Sequence, residues 1–394
     1  MAQLRVVVLW HQHQPFYKDL VTGRYRLPWT RLHALKDYYG MVKLLDEFPE
    51  VHQTFNLVPS LIRQIQDYVS GEAQDPFLQV AGRPAKDLSL EERRFALTYL
   101  FQAHPVNVIG RYPRYRELLE KFRSAGALAE TAEKYFLTQD YTDLQVLSQI
   151  GWFDELFLEE KDIAELIRKG RDYSLEDQSL VMARERELLA RVLPAHGEAA
   201  RKGSIEISTS PFYHPILPLV CDTNMGAVST PGLPLPRNRY RHPEDAREQL
   251  LRGLDLHESV FGLRPQGVWP SEGSVSEEVL GIAHMISENG RAAIARGGAL
   301  EVGPQIIAVK DVVAEHQRGV ILPDEIAADE KGLGEPIRRG LHGIPQAHAP
   351  IGAVAERLVE ARRVLRRRDD ENVANPRQHQ RGQRVVDQRL VIDR

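Results

Sequence analysis

A single cysteine, Cys221, stands in a chain of 394 residues. With no partner for it, an internal disulfide framework is excluded and a reducing compartment is expected. Its expected role is that of a small buried side chain. Long apolar runs are missing as well. No stretch approaches the roughly 18 apolar residues of a membrane span, and the run Leu4–Trp10 is too short for a secretory core. Charge of one sign is also lacking: 51 Lys and Arg against 55 Asp and Glu leave a net charge of −4. That balance gives no electrostatic case for nucleic acid or an anionic membrane. The remaining expectation is a globular protein of the cytoplasm acting on a neutral or small partner.

The aromatic residues are absent from one end only. All 12 Phe, 13 Tyr and 4 Trp precede residue 270, although about ten would be expected in the rest at ordinary usage. Residues 286–394 hold sixteen Arg against two Lys, with runs such as Arg366-Arg367-Arg368-Asp369. The alternation of strand and helix patterns stops there, inside the pattern of a helix. Residues 285–394 therefore read as an atypical Arg-rich tail. It is a disordered charged extension, a basic interaction arm, or out-of-frame translation after a slip near residue 285, and the last is preferred.

What precedes the tail reads as α/β. Leu4–Trp10 is a β-branched run expected as a fully buried parallel strand. Val51–Asn56 and Ser204–Ser208 are further strand candidates, and Gln266–Trp269 is a fourth. Pro59 opens a helical pattern at Ser60–Tyr68. From about residue 89 to 192 the text is charged and helix-rich, with apolar residues at three- and four-residue spacing in Glu91–Phe101, Tyr115–Phe122 and Glu176–Val192. So long a helical insertion between strands implies a subdomain. Another helix runs from His242 to about Val260, and Ser274 with Glu277 forms a Ser-x-x-Glu capping box for a last one.

Chemistry gathers where strands end. His11 and His13 follow the first strand and point the same way in an extended segment. They suit metal ligation, hydrogen bonding to a sugar, or a purely structural role. Glu206 sits between Ile205 and Ile207, on a polar strand face or pointing into a site, and Tyr213 and His214 could complete a polar pocket wall. The sharpest feature is Trp269-Pro270-Ser271-Glu272-Gly273-Ser274. Trp offers a flat platform to the C–H face of a sugar, and a strand-end Glu can attack an anomeric carbon. Equally, such a Glu can sit near a helix N-terminus for electrostatic reasons alone.

Taken together, His13-Gln14-Pro15, Gly203-Ser204-Ile205-Glu206-Ile207 and Gly267-Val268-Trp269-Pro270-Ser271-Glu272 resemble glycoside hydrolase family 57 in order and spacing over residues 1–284. The resemblance implies an incomplete (β/α)7, distorted TIM-like barrel with a helical insertion. It also implies retaining chemistry on an α-glucan or related oligosaccharide, as hydrolase or transferase. Glu272 would be the nucleophile. His13, Glu206 and His214 would line the subsite of the reacting sugar, flanked by His11 and Trp269, with no metal or organic cofactor. The family's fourth motif, which carries the general acid, has no convincing match after residue 285. Asp324 and Asp369 are available carboxylates without the expected aromatic surroundings. A retaining mechanism needs two carboxyls, so an inactive chain is one expectation. Two rivals stay open: a metal-dependent amidohydrolase-type enzyme using His11 and His13, and a carbohydrate-binding remnant without turnover.

Overall fold

The computed structural model describes residues 6–288. Three parallel strands, β1 (Leu9–Gln12), β2 (Gln53–Leu57) and β3 (Ile205–Ser208), lie side by side in that order. Parallel neighbours require long crossovers. Here they are helical, and between β2 and β3 every regular element is a helix. The described chain is thus α/β, mostly helical, with a small parallel sheet.

Local chemistry sets these helices. Pro59, which has no N–H to leave unpaired, opens Pro59–Ser70. Ser89 caps Leu90–Tyr99 through a reciprocal pair of bonds with Glu92, and Ser174 with Asp177 does the same for Leu175–Lys202. Residues 89–192 also hold Pro113–Ser124, Thr138–Ile150 and Lys161–Lys169. The long helix continues through Pro194 despite the lost hydrogen bond. Burial of Leu188, Leu189, Val192 and Ala199 offsets that cost. It ends at Gly203, whose φ of 77° turns the chain straight into β3.

The sheet has two unlike faces. Phe55, Leu57, Ile205 and Ile207 are buried in the main apolar cluster with residues of the long helix. Alternation puts His11, Thr54, Asn56, Glu206 and Ser208 on the other face. The register aligns His11, Asn56 and Ser208 as one row across all three strands. This row lies at the C-terminal ends of the strands, where barrel and open α/β enzymes place their sites.

Three expectations need correction. The first strand is shorter than Leu4–Trp10 and is not fully buried: Val6, Val7, Val8, Leu9 and Trp10 are exposed. Among the described residues, β1 has a neighbour on one side only, so a strand that reads as interior sits at an edge. Gln266–Trp269 forms no strand, only a single parallel bridge of Val268 to Thr209 just beyond β3. Pro265 and Pro270 bracket the segment and leave little room for a ladder. Finally, Ser274 is not the helix cap. It closes the turn Ser271–Gly273 by donating its N–H to Ser271 O. Ser276 caps Glu277–Glu288 instead, its Oγ accepting from Val279 N–H at 3.3 Å.

Cys221 is buried, and burial pushes its thiol up to about 11. No helix among the described residues is long and apolar enough to cross a membrane. Asp324 and Asp369 lie outside the described residues.

Candidate active site

Three separate segments deliver the site, and each is fixed by bonds remote from the chemistry. The loop after β1, which carries His13, is held by the helix Pro59–Ser70. Ser60 Oγ donates to Gln14 O at 3.1 Å, Gln64 Nε2 donates to Pro15 O at 3.0 Å, and Gln64 Oε1 accepts from Tyr17 N at 2.9 Å. Residues 60 and 64 share one face of that helix, so a single helix clamps the whole loop.

The loop after β3 bears His214. It is held by the helix Pro243–Phe261, where the Gln249 carbonyl accepts from Phe212 N at 3.0 Å and Gln249 Oε1 accepts from Tyr213 N at 2.8 Å. That helix carries glycine at 253 because the loop backbone presses on it. A Cβ there would lie 2.7 Å from Ser210 O. Phe16 packs edge-on against Tyr213 with ring centroids 5.1 Å apart, tying the two loops together.

The third segment is fastened to Thr209 by two bonds: Thr209 N donates to Gly267 O at 3.1 Å, and Trp269 N donates to Thr209 O at 2.7 Å. Glu272 follows in a tight turn with φ 54° and ψ 23°. His214 is also left-handed, with φ 57°. Non-glycine residues held there cost of order 1–3 kcal/mol each and concentrate at functional sites. These two residues face each other, with His214 Nδ1 3.7 Å from Glu272 Oε1.

Around them the aromatic rings converge. His13 stacks on His214 with centroids 4.0 Å apart, His11 lies 5.0 Å from His214 and 5.6 Å from His13, and Trp269 lies 5.9 Å from His11. One nitrogen of each histidine falls within 4.8 Å of the others. The structure therefore brings together His11, His13, His214, Trp269 and Glu272. Glu206 stands apart from that contact set. It shares the sheet face of Asn56 and Ser208 one row nearer the N-terminal ends, and among the described residues it has no hydrogen-bond or ion-pair partner.

Electrostatically the pocket disfavours protonation of His13 and His214. Burial, reinforced by His13 and His11, lowers the His214 pKa to about 4. Burial and then His11 lower that of His13, against the opposing pull of Glu272. Burial also raises the carboxyl pKa of Glu206. At neutral pH His214 is an uncharged donor or acceptor, so its contact with Glu272 is not an ion pair. The Glu272 side chain is 65% exposed, which suits a group meeting a substrate better than one serving as a buried cap. Among the described residues, Thr209 Oγ1, His214 Nε2 and Ser271 Oγ are buried without a hydrogen-bond partner. Such atoms are costly unless something else satisfies them.

Asn56 is the functional residue that sequence reading missed. Fully buried on β2, its Oδ1 lies 2.6 Å from His11 Nδ1 and accepts from Ser210 Oγ at 3.0 Å. Its Nδ2 donates to Ser208 Oγ at 3.1 Å and to Thr209 O at 2.8 Å. With Nδ2 so engaged, Oδ1 is the acceptor, so His11 carries its proton on Nδ1 and its Nε2 is left as an acceptor. Only the register of β1 on β2 brings residues 11 and 56 together; an Asn closing a strand pattern gives no such signal.

The family model for glycosyl hydrolase family 57 matches residues 7–318. No curated protein matches the chain. Among solved structures, the chain is similar to the α-amylase AmyC of Thermotoga maritima, with 14% identity over 72% of this chain and 38% of that one, at a TM-score of 0.32. It is also similar to the GH57-type branching enzyme of Pyrococcus horikoshii, with 15% identity over 68% and 34% at a TM-score of 0.29. A GH57 branching enzyme of Thermococcus kodakaraensis gives 13% identity over 68% and 32% at a TM-score of 0.30. The chain thus spans between 32% and 38% of the length of these enzymes. Matched over most of its length by the family model, the chain belongs to glycosyl hydrolase family 57.

Proposed function

We propose that this chain carries the nucleophile half of a retaining α-glycosidase site, acting on an α-glucan or related oligosaccharide by hydrolysis or transfer. The observation that carries the proposal is Glu272: a strained, exposed carboxylate beside a neutral buried histidine, in the turn that follows Trp269, whose ring lies against His11. Its carboxylate would attack the anomeric carbon and displace the leaving group, giving a glycosyl-enzyme ester that water or an acceptor sugar then opens. Trp269 offers its face to the sugar. His11, His13 and His214 would bond the sugar hydroxyls, with Asn56 orienting His11. Glu206 would lie deeper, on the same sheet face.

The three strands are read as the opening part of a (β/α)7 barrel. The polar face carrying Thr54, Asn56, Glu206 and Ser208 would line its interior, and the free side of β1 would be where closure occurs. The second carboxyl of a retaining pair would stand about 5–5.5 Å from Glu272. Its identity is unassigned: Asp324 and Asp369, carboxylates beyond residue 288, lack the aromatic surroundings expected of it.

The mechanism is tested with a glucosyl fluoride, whose leaving group departs without a proton. The full-length chain is expected to release fluoride and to gain one glucosyl unit on the peptide containing Glu272, read by mass spectrometry. An unactivated α-glucan is expected to react more slowly by the roughly 10²–10⁴-fold that general acid catalysis supplies. Glu272→Gln abolishes both adduct and turnover. Wild-type turnover in that variant would sink the assignment.

A further inference from the structure

We propose that His11, His13 and His214 form a binding site for one divalent transition-metal ion of the zinc class. One imidazole stands on β1, one on the loop after it and one on the loop after β3, and they converge until one nitrogen of each lies within 4.8 Å of the others. Zinc holds nitrogen ligands at about 2.0–2.1 Å, which sets two tetrahedral ligands roughly 3.4 Å apart. Small ring movements therefore close the cluster onto an ion. His11 is exposed and His13 half-buried, so neither ring is enclosed by the core. The stack of His13 on His214 opens as His13 turns toward the ion.

His11 has what a metal-ligating histidine needs, an oxygen partner on the ring nitrogen that does not bind the ion. Asn56 Oδ1 takes the Nδ1–H of His11 and leaves Nε2. Glu272 Oε1 lies 3.7 Å from His214 Nδ1, beyond hydrogen-bond distance, while among the described residues His214 Nε2 is buried with no hydrogen-bond partner. A metal ion would supply that orphaned nitrogen with its missing partner. Three imidazoles and an open fourth position for water suit zinc, cobalt, nickel or copper rather than magnesium or calcium, which prefer oxygen. Because the ion would sit beside Glu272, it would exclude a sugar from the pocket. That last consequence rests on the glycosidase reading, whereas metal binding does not.

The test is a titration of the metal-stripped full-length chain with zinc by calorimetry, repeated with cobalt to read the visible absorption of a nitrogen-ligated, four-coordinate ion. One equivalent is expected to bind, and magnesium is not. The double variant His13→Ala/His214→Ala should bind at least 100-fold more weakly with an unchanged circular dichroism spectrum. Should it fail to fold, His11→Gln, a change at an exposed ring, is used and should weaken binding at least tenfold. Asn56→Ala, which removes the oxygen acceptor on His11, should bind roughly 10–100-fold more weakly. Absence of stoichiometric zinc, or full-strength binding in the folded histidine variant, would overturn the proposal. Inhibition of fluoride release by zinc is read separately, so failure of the glycosidase reading leaves the binding result interpretable.

Discussion

Two polar clusters in this molecule handle charge in opposite ways. Within the helical layer Arg31 is fully buried, donating to Asp75 at 3.1 Å, to Gln149 at 2.7 Å and to Glu185, while Tyr68 donates to Asp75 at 3.1 Å. Asp75 also caps the helix Pro76–Gly82. Burial pushes the Glu185 carboxyl up, and the arginine opposes that shift. At the strand ends Asn56 is fully bonded, but Glu272 stands exposed and strained and His214 Nε2 has no hydrogen-bond partner among the described residues. The first cluster binds four chain segments into one body. The second retains unmet bonding capacity, which is what a ligand can use.

This contrast can be broken most severely at Arg31. Arg31→Met would leave Asp75 and Glu185 buried without their cation and is expected to cost about 3–5 kcal/mol, read by urea unfolding. Glu272→Gln should stay within about 0.5 kcal/mol of wild type while losing the covalent adduct. Equal losses in the two variants would erase the distinction.

Gly253→Ala comes next in size. Its Cβ would meet the Ser210 carbonyl at 2.7 Å, so overpacking of about 1–3 kcal/mol is expected. Because that carbonyl belongs to the loop bearing His214, loss of adduct formation should exceed what the stability change explains. Stopped-flow trapping at a temperature where the variant is fully folded separates the two effects.

A smaller effect, of opposite sign, is expected at the strained turn. Asn tolerates the left-handed region better than Glu, so Glu272→Asn should raise stability by about 0.5–1 kcal/mol while removing the nucleophile. A lower melting temperature would show that the turn is not strained.

The pH dependence sharpens the same comparison. His196 and His214 are both lowered to about 4 by burial, below an unfolded value near 6.5. Between those values the unfolded chain binds more protons, so their contribution to stability is complete above pH 6.5 and is lost as pH falls toward 4. His196 packs edge-on against Phe55 and bonds Val192 O at 2.9 Å. Replacing it with Leu should flatten the fall of melting temperature between pH 6.5 and 4.5, and an unaltered slope would refute its part.

Much of the site was legible in the residues. Trp269 and Glu272, and the pair His11 and His13, stand out because an aromatic, a carboxylate and histidines leave strand-like runs together. The helices were legible through apolar spacing and through caps such as Ser89 with Glu92. Less visible was anything that depends on a partner remote in sequence. Ser60, Gln64, Gln249 and Gly253 look like ordinary helix residues until the loops they hold are seen. The exposed edge of β1 was misread because a β-branched run states a preference for burial, not the presence of a neighbour.

The sequence by itself determined the parallel α/β character, the helical run between β2 and β3, and which strand-end residues to single out, since periodicity, caps and strand-end chemistry are local properties. Only the tertiary structure decided which of those residues meet. Register set His11 against Asn56 and so chose its tautomer, and a bridge at Thr209 aimed Trp269. Close packing over Gly253 brought His214 to Glu272 while leaving Glu206 outside the contact set. Those outcomes are contacts between residues far apart in the chain, His11 and Trp269 being 258 positions apart, and no local propensity encodes them.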